Sequence, residues 1–427
     1  MFRQYIQQAL YHLRENPVIT WVSLLGTALS ICMIMVVVIT IRARVADVAP
    51  EVNRSRTLYV PNMTARPKTS TGGGMNSRMS VQTGRECFKA LTTPEAVTLY
   101  ADVEKVRASL PAGEKMTADM RQVDADFWSV FRFRFLEGKP FTEADFRSAL
   151  PRTVISATVA RRLFGRTEGV AGQHLQLNHV DYQVAGVVAD VSMLASDSYA
   201  QLWIPYTCGT AEANTWGYSL MGPMRAAILA RSEADFPAIR EECERLRQKY
   251  NDAQPEYGVH YRGQPDTQFA HLYRTWNKQP DMPLVIRRYI LVFLILLIVP
   301  AINLSSMTHS RMRKRMAEIG VRKAFGATGG ELLRQVFVEN LLLTVVAGLI
   351  GLVLSYGATF LLNGFLLGSS ANAYLSGETT LTAGQLLSPW VFLAAFGFCL
   401  LMNLLSSGLP AWRASRMNIV EAINQKE

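Results

Sequence analysis

Residues 310–340 form a densely cationic segment that lies directly between two long apolar runs, Tyr289–Met307 and Leu341–Leu362. An α-helix rises about 1.5 Å per residue, and the hydrocarbon core of a bilayer is about 30 Å thick. Each run is therefore long enough to cross a membrane. The sequence predicts a membrane protein that crosses the bilayer more than once.

Two further apolar runs, Pro17–Ile41 and Pro389–Pro410, contain no charged side chain. They bring the predicted number of spans to four. The fold class expected is an α-helical membrane protein with four transmembrane helices and an α+β extracytoplasmic domain. We expect the four helices at residues 17–41, 286–308, 336–365 and 389–410.

The distribution of Lys and Arg predicts the orientation of the spans, because short loops rich in these residues stay in the cytoplasm. The loop 309–335 is rich in both, whereas the loop 366–388 contains neither and is expected outside. Both termini are then cytoplasmic: an amphipathic helix at 1–16 and a tail at 411–427. The same rule accounts for the net charge of +10 without nucleic-acid binding.

Residues 42–285, between the first two spans, are predicted to form the external domain. Strands at 57–60 and 226–230, and helices at Pro94–Leu110 and Ser232–Tyr250, form two similar units. Apolar residues at spacings of three and four predict both helices. Two such units that bracket an insert indicate a split α+β domain.

The insert, at about 123–223, is rich in strand signals such as TVISA, HLQLN, YQVAGVVAD and QLWIP, and a short helix is expected at 157–164. Its aromatic run FWSVFRFRF, residues 127–135, partly alternates with polar residues. We interpret this run as an amphipathic strand that buries one face, with a ligand platform as the alternative.

The sequence predicts no catalytic centre, metal site or cofactor in this chain. The segment GATGGELLR after Phe325 lacks the lysine of a phosphate-binding loop. The histidines and cysteines do not follow metal-ligand spacing. The sequence allows one disulfide among Cys87, Cys208 and Cys243, but it does not identify which two of them pair.

Three segments resemble the MacB/FtsX-type permeases of ABC transporters, also called mechanotransmission ABC transporters. Residues 315–327, RMAEIGVRKAFGA, are similar to the family's loop after the second span. Residues 409–423 are similar to its C-terminal ending, with Asn418-Ile419 where relatives usually have Asn-Pro or Asp-Pro. Residues 123–141, with 154–165 and 182–190, resemble the MacB-like periplasmic core domain, whose porter-like unit is discontinuous and carries a strand-rich insert.

The resemblance implies a non-catalytic permease subunit in the bacterial inner membrane, with ATP and Mg²⁺ bound by a separate ABC ATPase. It implies efflux or extraction of a drug, peptide or lipoprotein through movements of the periplasmic domain. A periplasmic adaptor and an outer-membrane channel are further candidate partners. The residues expected to couple to the ATPase are Arg315, Glu318, Ile319, Gly320, Arg322, Lys323, Gly326 and Ala327.

The resemblance also implies a second permease, either an identical copy or a paralogue. Small residues let membrane helices approach closely. We therefore expect Gly26 and Ser30 of the first span to pack near Ala347 and Gly351 of the third span of the other copy. The alternative function is a transmembrane receptor or regulator that transmits a signal or force to periplasmic partners without transporting cargo.

Overall fold

The computed structural model describes residues 17–69, 73–111, 113–296, 298, 328–362, 367, 374–380, 390, 392–394, 396–397 and 400–401. The chain divides into two units. The membrane unit comprises Met1–Arg42, Pro283–Leu366 and Thr382–Glu427. The external unit comprises Ala43–Met282 and Leu367–Leu381, so the short loop between the third and fourth predicted spans belongs to it.

The first membrane helix is Pro17–Val45, and the third predicted span lies in the helix Gly329–Leu361. Among the described residues, two stretches are long and apolar enough to cross a bilayer: Thr20–Val45 and Leu341–Leu361. Residues 282–296 are also helical. The predicted amphipathic helix, most of the coupling segment and the C-terminal tail lie outside the described residues.

The helix Gly329–Leu361 begins before residue 336, where the apolar pattern predicted its start. Thr328 is its N-cap: the Thr328 hydroxyl accepts a hydrogen bond from the Glu331 amide at 3.4 Å, and the Glu331 carboxylate accepts one from the Thr328 amide at 3.0 Å. This reciprocal cap satisfies two amides that the first turn leaves free. The polar turns before the apolar run are therefore part of the same helix.

The first and third membrane helices pack together within one chain. Leu24, Ala28, Leu343 and Ala347 form a buried cluster. A Cβ atom on Gly351 would lie 2.7 Å from the carbonyl oxygen of Ala28. Ala347 and Gly351 therefore contact the chain's own first helix, and their predicted contact with a second copy stays a prediction.

Gly26 and Ser30 are only partly buried, and the Ser30 hydroxyl donates to the Gly26 carbonyl within the same helix at 2.7 Å. This bond satisfies the hydroxyl without a neighbouring helix. Leu25 and Leu29 beside them are 48% and 55% exposed. A second copy could still pack on this face of the helix, as the sequence predicts.

The external unit contains an 11-stranded sheet and a separate 3-stranded sheet. The strands are β1 (Thr57–Val60), β2 (Met63–Pro67), β3 (Met75–Ser77), β4 (Ala96–Ala101), β5 (Glu104–Ser109), β6 (Lys115–Val123), β7 (Phe135–Gly138), β8 (Arg152–Ser156), β9 (His174–Leu177), β10 (Val180–Val188), β11 (Leu202–Pro205), β12 (Met224–Leu229), β13 (Tyr257–His260) and β14 (Asp266–Thr267). The helical segments are Arg54–Arg56, Val81–Gly84, Arg85–Lys89, Phe127–Val130, Glu143–Arg147, Ala157–Phe164, Tyr206–Cys208, Glu233–Asp235, Phe236–Ala253 and Gln268–Tyr273.

Strands from both ends of the domain sequence pair with each other, as expected for a split domain. β1 pairs with β12, with Thr57 opposite Leu229, and β12 pairs with β4 on its other side. The helix Phe236–Ala253 packs Ile239 and Cys243 into the core beneath these strands. Strands and helix thus bury one continuous apolar layer.

The strand-rich insert closes on itself. β6 pairs with β5 on one side and in parallel with β11 on the other, and β9, β10 and β8 complete the ring between β5 and β11. A closed ring leaves few unpaired strand edges. The predicted helix at Ala157–Phe164 is present, capped by Ser156 and ended by Gly165 in the left-handed conformation. Its Val159, Ala160 and Leu163 fill the interior.

The predicted helix Pro94–Leu110 is wrong, because this segment forms β4 and β5. Nearly every residue of β4 is buried, so its apolar residues follow one another without alternation. Such a strand cannot be distinguished from one face of a helix by periodicity alone. β5 and β6 both belong to the closed ring, and β5 and most of β6 lie before residue 123. The ring therefore begins before the predicted start of the insert.

The aromatic run 127–135 is not the strand that was expected. Phe127–Val130 is a helical turn, and β7 begins only at Phe135. Phe127 and Phe131 are buried, with ring centroids 4.9 Å apart. Trp203 of β11 contacts Phe133 with centroids 5.1 Å apart. The run is part of a buried aromatic cluster. It buries aromatic side chains, as predicted, but it does not form the predicted strand.

Cys87, Cys208 and Cys243 are free thiols in the structure, so the optional disulfide is not present. Cys87 and Cys243 are buried in the same core. Burial raises the pKa of each to about 12. They therefore stay protonated at neutral pH and pack as small apolar side chains.

Replacement of Gly351 by Ala is expected to destabilise the membrane unit by about 1–3 kcal/mol, because the added methyl group would overlap the Ala28 carbonyl. Gly357→Ala, on the same helix, is the matched control, since nothing lies within 4 Å of its added Cβ. Thermal unfolding in detergent micelles measures the difference. Equal melting temperatures for the two variants would show that the helices do not approach closely at Gly351.

Candidate functional site

A cluster of buried charged side chains joins three parts of the external unit. We call it the polar hub and define it as Glu51, Arg54, Asp197, Ser198 and His271. Glu51 and Arg54 follow the first membrane helix along the chain, and His271 lies in the helix Gln268–Tyr273, shortly before the second predicted span. Asp197 and Ser198 lie between β10 and β11 of the insert.

Glu51 and Arg54 form an ion pair in which both side chains are about 1% exposed. The Arg54 Nε donates to Glu51 at 2.8 Å, while its other nitrogens donate to the carbonyls of Ala46, at 2.9 Å, and Leu194. The second Glu51 oxygen accepts bonds of 2.9–3.0 Å from the amide of Asp197 and from the amide and hydroxyl of Ser198. This pair fastens the chain after the first membrane helix to the insert.

Asp197 connects the insert to the segment before the second span. Its carboxylate lies 3.1 Å from His271 Nε2, and the Tyr100 hydroxyl donates to it at 2.8 Å. Burial alone would raise the pKa of Asp197, but the His271 charge and hydrogen bond, the Arg225 charge and the Tyr100 hydroxyl hold the pKa well below its ordinary value. Tyr59 stacks on His271, with ring centroids 4.9 Å apart. Asp197 is therefore ionised at neutral pH and held from several sides.

The segments next to the first two spans also bond to each other directly. Gln268 Nε2 donates to the carbonyl of Arg44 at 3.1 Å. Gln268 begins the helix Gln268–Tyr273, which Thr267 caps. The two chain ends of the external domain are thus fixed to one another as well as to the hub.

Residues 374–380, which we call the strap, come from the loop between the third and fourth predicted spans. The Ser192 hydroxyl donates to the Thr380 carbonyl at 2.9 Å and accepts from the Thr380 amide at 3.0 Å. The Met193 amide donates to the Glu378 carbonyl at 3.1 Å. The strap is therefore bonded to the chain just before Asp197.

A second buried carboxylate also holds the strap. The Ser376 amide and the Tyr199 hydroxyl each donate to Asp119 at 2.7 Å. Lys105 forms an ion pair with the other Asp119 oxygen at 2.6 Å. Asp119 lies on β6, the strand shared by the closed ring. The strap thus reaches the strand on which the insert is built.

The structure does not test the coupling residues that the sequence singled out. All eight predicted coupling residues, from Arg315 to Ala327, are outside the described residues. The hub and strap were missed, because buried charges have no periodic signature in a sequence. One local signal was available: Glu51 and Arg54 are three residues apart and begin ten residues after the first predicted span. No cluster of metal-binding side chains is found in the part of the chain that the structure describes.

Replacement of Glu51 by Gln is expected to destabilise the external unit by about 3–5 kcal/mol, because it leaves the buried Arg54 without its counter-charge. Glu143→Gln is the control: it removes an exposed pair with Arg147 and should cost less than about 1 kcal/mol. Urea unfolding of the full chain in nanodiscs, followed by tryptophan fluorescence, measures both. Similar midpoints for the two variants would contradict the role of the buried pair.

Two family models agree with the sequence resemblance. A family model described as the MacB-like periplasmic core domain matches residues 20–246, and one described as the FtsX-like permease C-terminal matches residues 290–419. The solved periplasmic region of MacB from Actinobacillus actinomycetemcomitans is 15% identical, with a TM-score of 0.34, over 48% of this chain and 89% of that one.

Three curated relatives are similar over most of this chain. The pyoverdine export ATP-binding/permease protein PvdT of Pseudomonas savastanoi pv. phaseolicola is 27% identical over 71% of this chain and 42% of its own length. The macrolide export ATP-binding/permease protein MacB of Escherichia coli K12 is 24% identical over 72% and 43%. The uncharacterized ABC transporter permease YknZ of Bacillus subtilis is 23% identical over 73% and 70%.

This chain therefore spans less than half the length of the two relatives whose names include an ATP-binding part. The periplasmic core model alone matches more than half of this chain, and the FtsX-like model covers the segment with the cationic loop. The chain belongs to the MacB/FtsX-type ABC transporter permeases, a family of membrane permeases with a periplasmic domain.

Proposed function

We propose that this chain is the permease subunit of an ATP-driven complex in which a separate ATPase moves the periplasmic domain to expel or extract a substrate. The observation that carries the proposal is the bonding of three span-connected segments to one small region of the external unit. Glu51 and Arg54 hold the segment after the first span, His271 and Gln268 the segment before the second, and Thr380 the loop between the last two.

The hub is suited to transmit displacement because its charges are buried and multiply bonded. Moving Arg54 away from Glu51 would leave two charges unpaired in a poorly solvated place, which costs several kcal/mol. A shift of the first membrane helix is therefore passed on to Asp197 and the insert rather than absorbed locally. In this mechanism the substrate need not enter the bilayer, and the work is done by the moving external domain.

Two permeases, identical or paralogous, would pair with two ATPases that bind ATP and Mg²⁺. The segment with Glu318 and Arg322 would dock on the ATPase, as the resemblance implies. Two relatives carry pyoverdine export and macrolide export in their names, and this supports efflux as the class of activity. Extraction of a peptide or lipoprotein is the related option, and cargo-free signalling to periplasmic partners is the alternative.

The first test is copurification from the native membrane. The wild-type chain is expected to bring down an ATP-hydrolysing subunit, and Glu318→Gln with Arg322→Gln should remove it, because the docking segment loses both charges. Glu143→Gln with Arg147→Gln, in the external domain, is the matched control and should retain the subunit. A wild-type chain that purifies alone, with no nucleotide hydrolysis in any preparation, would refute the proposal.

The second test separates transmission from ATPase binding. Ser192→Val removes both side-chain bonds to Thr380 and is expected to leave hydrolysis intact while reducing the ATP-dependent change in hydrogen exchange at residues 192–199. Ser148→Val, at an exposed helix end, is the control. If ATP changes exchange to the same extent in Ser192→Val and the wild type, the strap does not transmit movement.

A further inference from the structure

The external unit contains a cavity of about 300 Å³ whose lining is unusually cationic. Arg44, Arg121 and Arg225 line it, with Asp102 as its single acidic residue. Pockets of this volume are at the small end of those that hold ligands in proteins. The function proposed above uses His271, Gln268 and the strap, which line this cavity, but it assigns no ligand to the cavity.

Arg121 is buried, at 3% exposure, and its charge has no direct counter-charge. Its guanidinium donates to the carbonyls of Tyr199, Ala101 and Ser196 at 2.9–3.0 Å. Within the described residues, no carboxylate lies within 4.0 Å of it. Burial lowers the pKa of Arg121, and the neighbouring Arg225 charge lowers it further. An anion in the cavity would stabilise the charged form of Arg121.

Asp102 cannot neutralise the arginines of the cavity by itself. It forms ion pairs with both Arg225, at 2.7 Å, and Arg78. Asp197, the next carboxylate, is 3.8 Å from Arg225 and already bonded to His271 and Tyr100. Arg121 therefore keeps its positive charge without a carboxylate beside it among the described residues.

Two further polar side chains line the cavity, and each has one atom without a hydrogen-bond partner among the described residues. Gln268 is 5% exposed, and its Oε1 accepts no hydrogen bond from the described residues. His271 Nδ1 is likewise without a partner among them. A buried polar atom without a partner costs about 1–3 kcal/mol. Both atoms are shielded from solvent, so they add polarity to the wall of the cavity rather than direct bonds to a ligand.

We infer that this cavity binds a small oxyanion, a phosphate or carboxylate group. Guanidinium groups suit such anions because their N–H groups match the spacing of the oxygen atoms. Tyr374 and Leu375 of the strap also line the cavity. The bound anion therefore touches the loop between the third and fourth predicted spans, and its presence biases the position of that loop.

The test uses the full chain in nanodiscs and inorganic phosphate as the probe. In phosphatidylcholine nanodiscs, isothermal titration is expected to show saturable binding. Arg44→Gln should weaken it about tenfold, since it removes one charged bond to the anion. Arg162→Gln, an exposed arginine on the helix Ala157–Phe164, is the matched control and should bind like the wild type. Leu375→Trp keeps every charge but fills the cavity, and should abolish binding.

A second arm identifies the source of the anion. The same titration is repeated in nanodiscs that contain phosphatidylglycerol, whose headgroup carries both a phosphate and hydroxyl groups. Loss of phosphate binding there supports the site with a lipid headgroup as its occupant, and unchanged binding supports it with a soluble anion. The inference is overturned if the wild type shows no saturable phosphate binding, if Arg44→Gln and Arg162→Gln bind equally, or if Leu375→Trp keeps wild-type affinity.

Discussion

The buried ion pair of Glu51 and Arg54 is the interaction on which the arrangement of the external unit depends. Neither side chain reaches solvent, so each must be paired by the protein itself. Glu51 accepts its remaining bonds from Asp197 and Ser198, and Arg54 donates to the carbonyls of Ala46 and Leu194. The complete set of bonds can form only when the segment after the first membrane helix and the insert are both in their native positions.

β6 connects the two parts of the large sheet. It belongs to the closed ring, and it also pairs with β4, which lies outside the ring. It pairs with β5 and β11, and at Val123 it also meets Tyr100 of β4. Its Asp119 and Arg121 alternate with core residues along the strand. One strand therefore carries the apolar interior of the insert, the carboxylate that holds the strap and the arginine of the cavity.

The sequence was sufficient where a physical rule acts within one segment. Ser156 and Gly165 frame the helix Ala157–Phe164, and both its ends were predicted. Turn residues between apolar runs likewise predicted β8, β9, β10 and β11 to within about two residues. The same reasoning failed at β4, because full burial of both faces removes the alternation that identifies a strand.

The hub could not be predicted, because its members are far apart in the chain and none is unusual alone. Glu51, Asp197 and His271 become a unit only when the ends of the domain are brought together with the insert. The family resemblance led instead to the cationic loop, where partner binding is expected. The proposed function needs both a surface that receives the ATPase movement and a fixed point in the external domain where the membrane-connected segments are joined. The hydrophobic periodicity of the sequence reveals neither feature. The surface depends on a partner, and the fixed point depends on contacts across about 220 residues of chain, from Glu51 to His271.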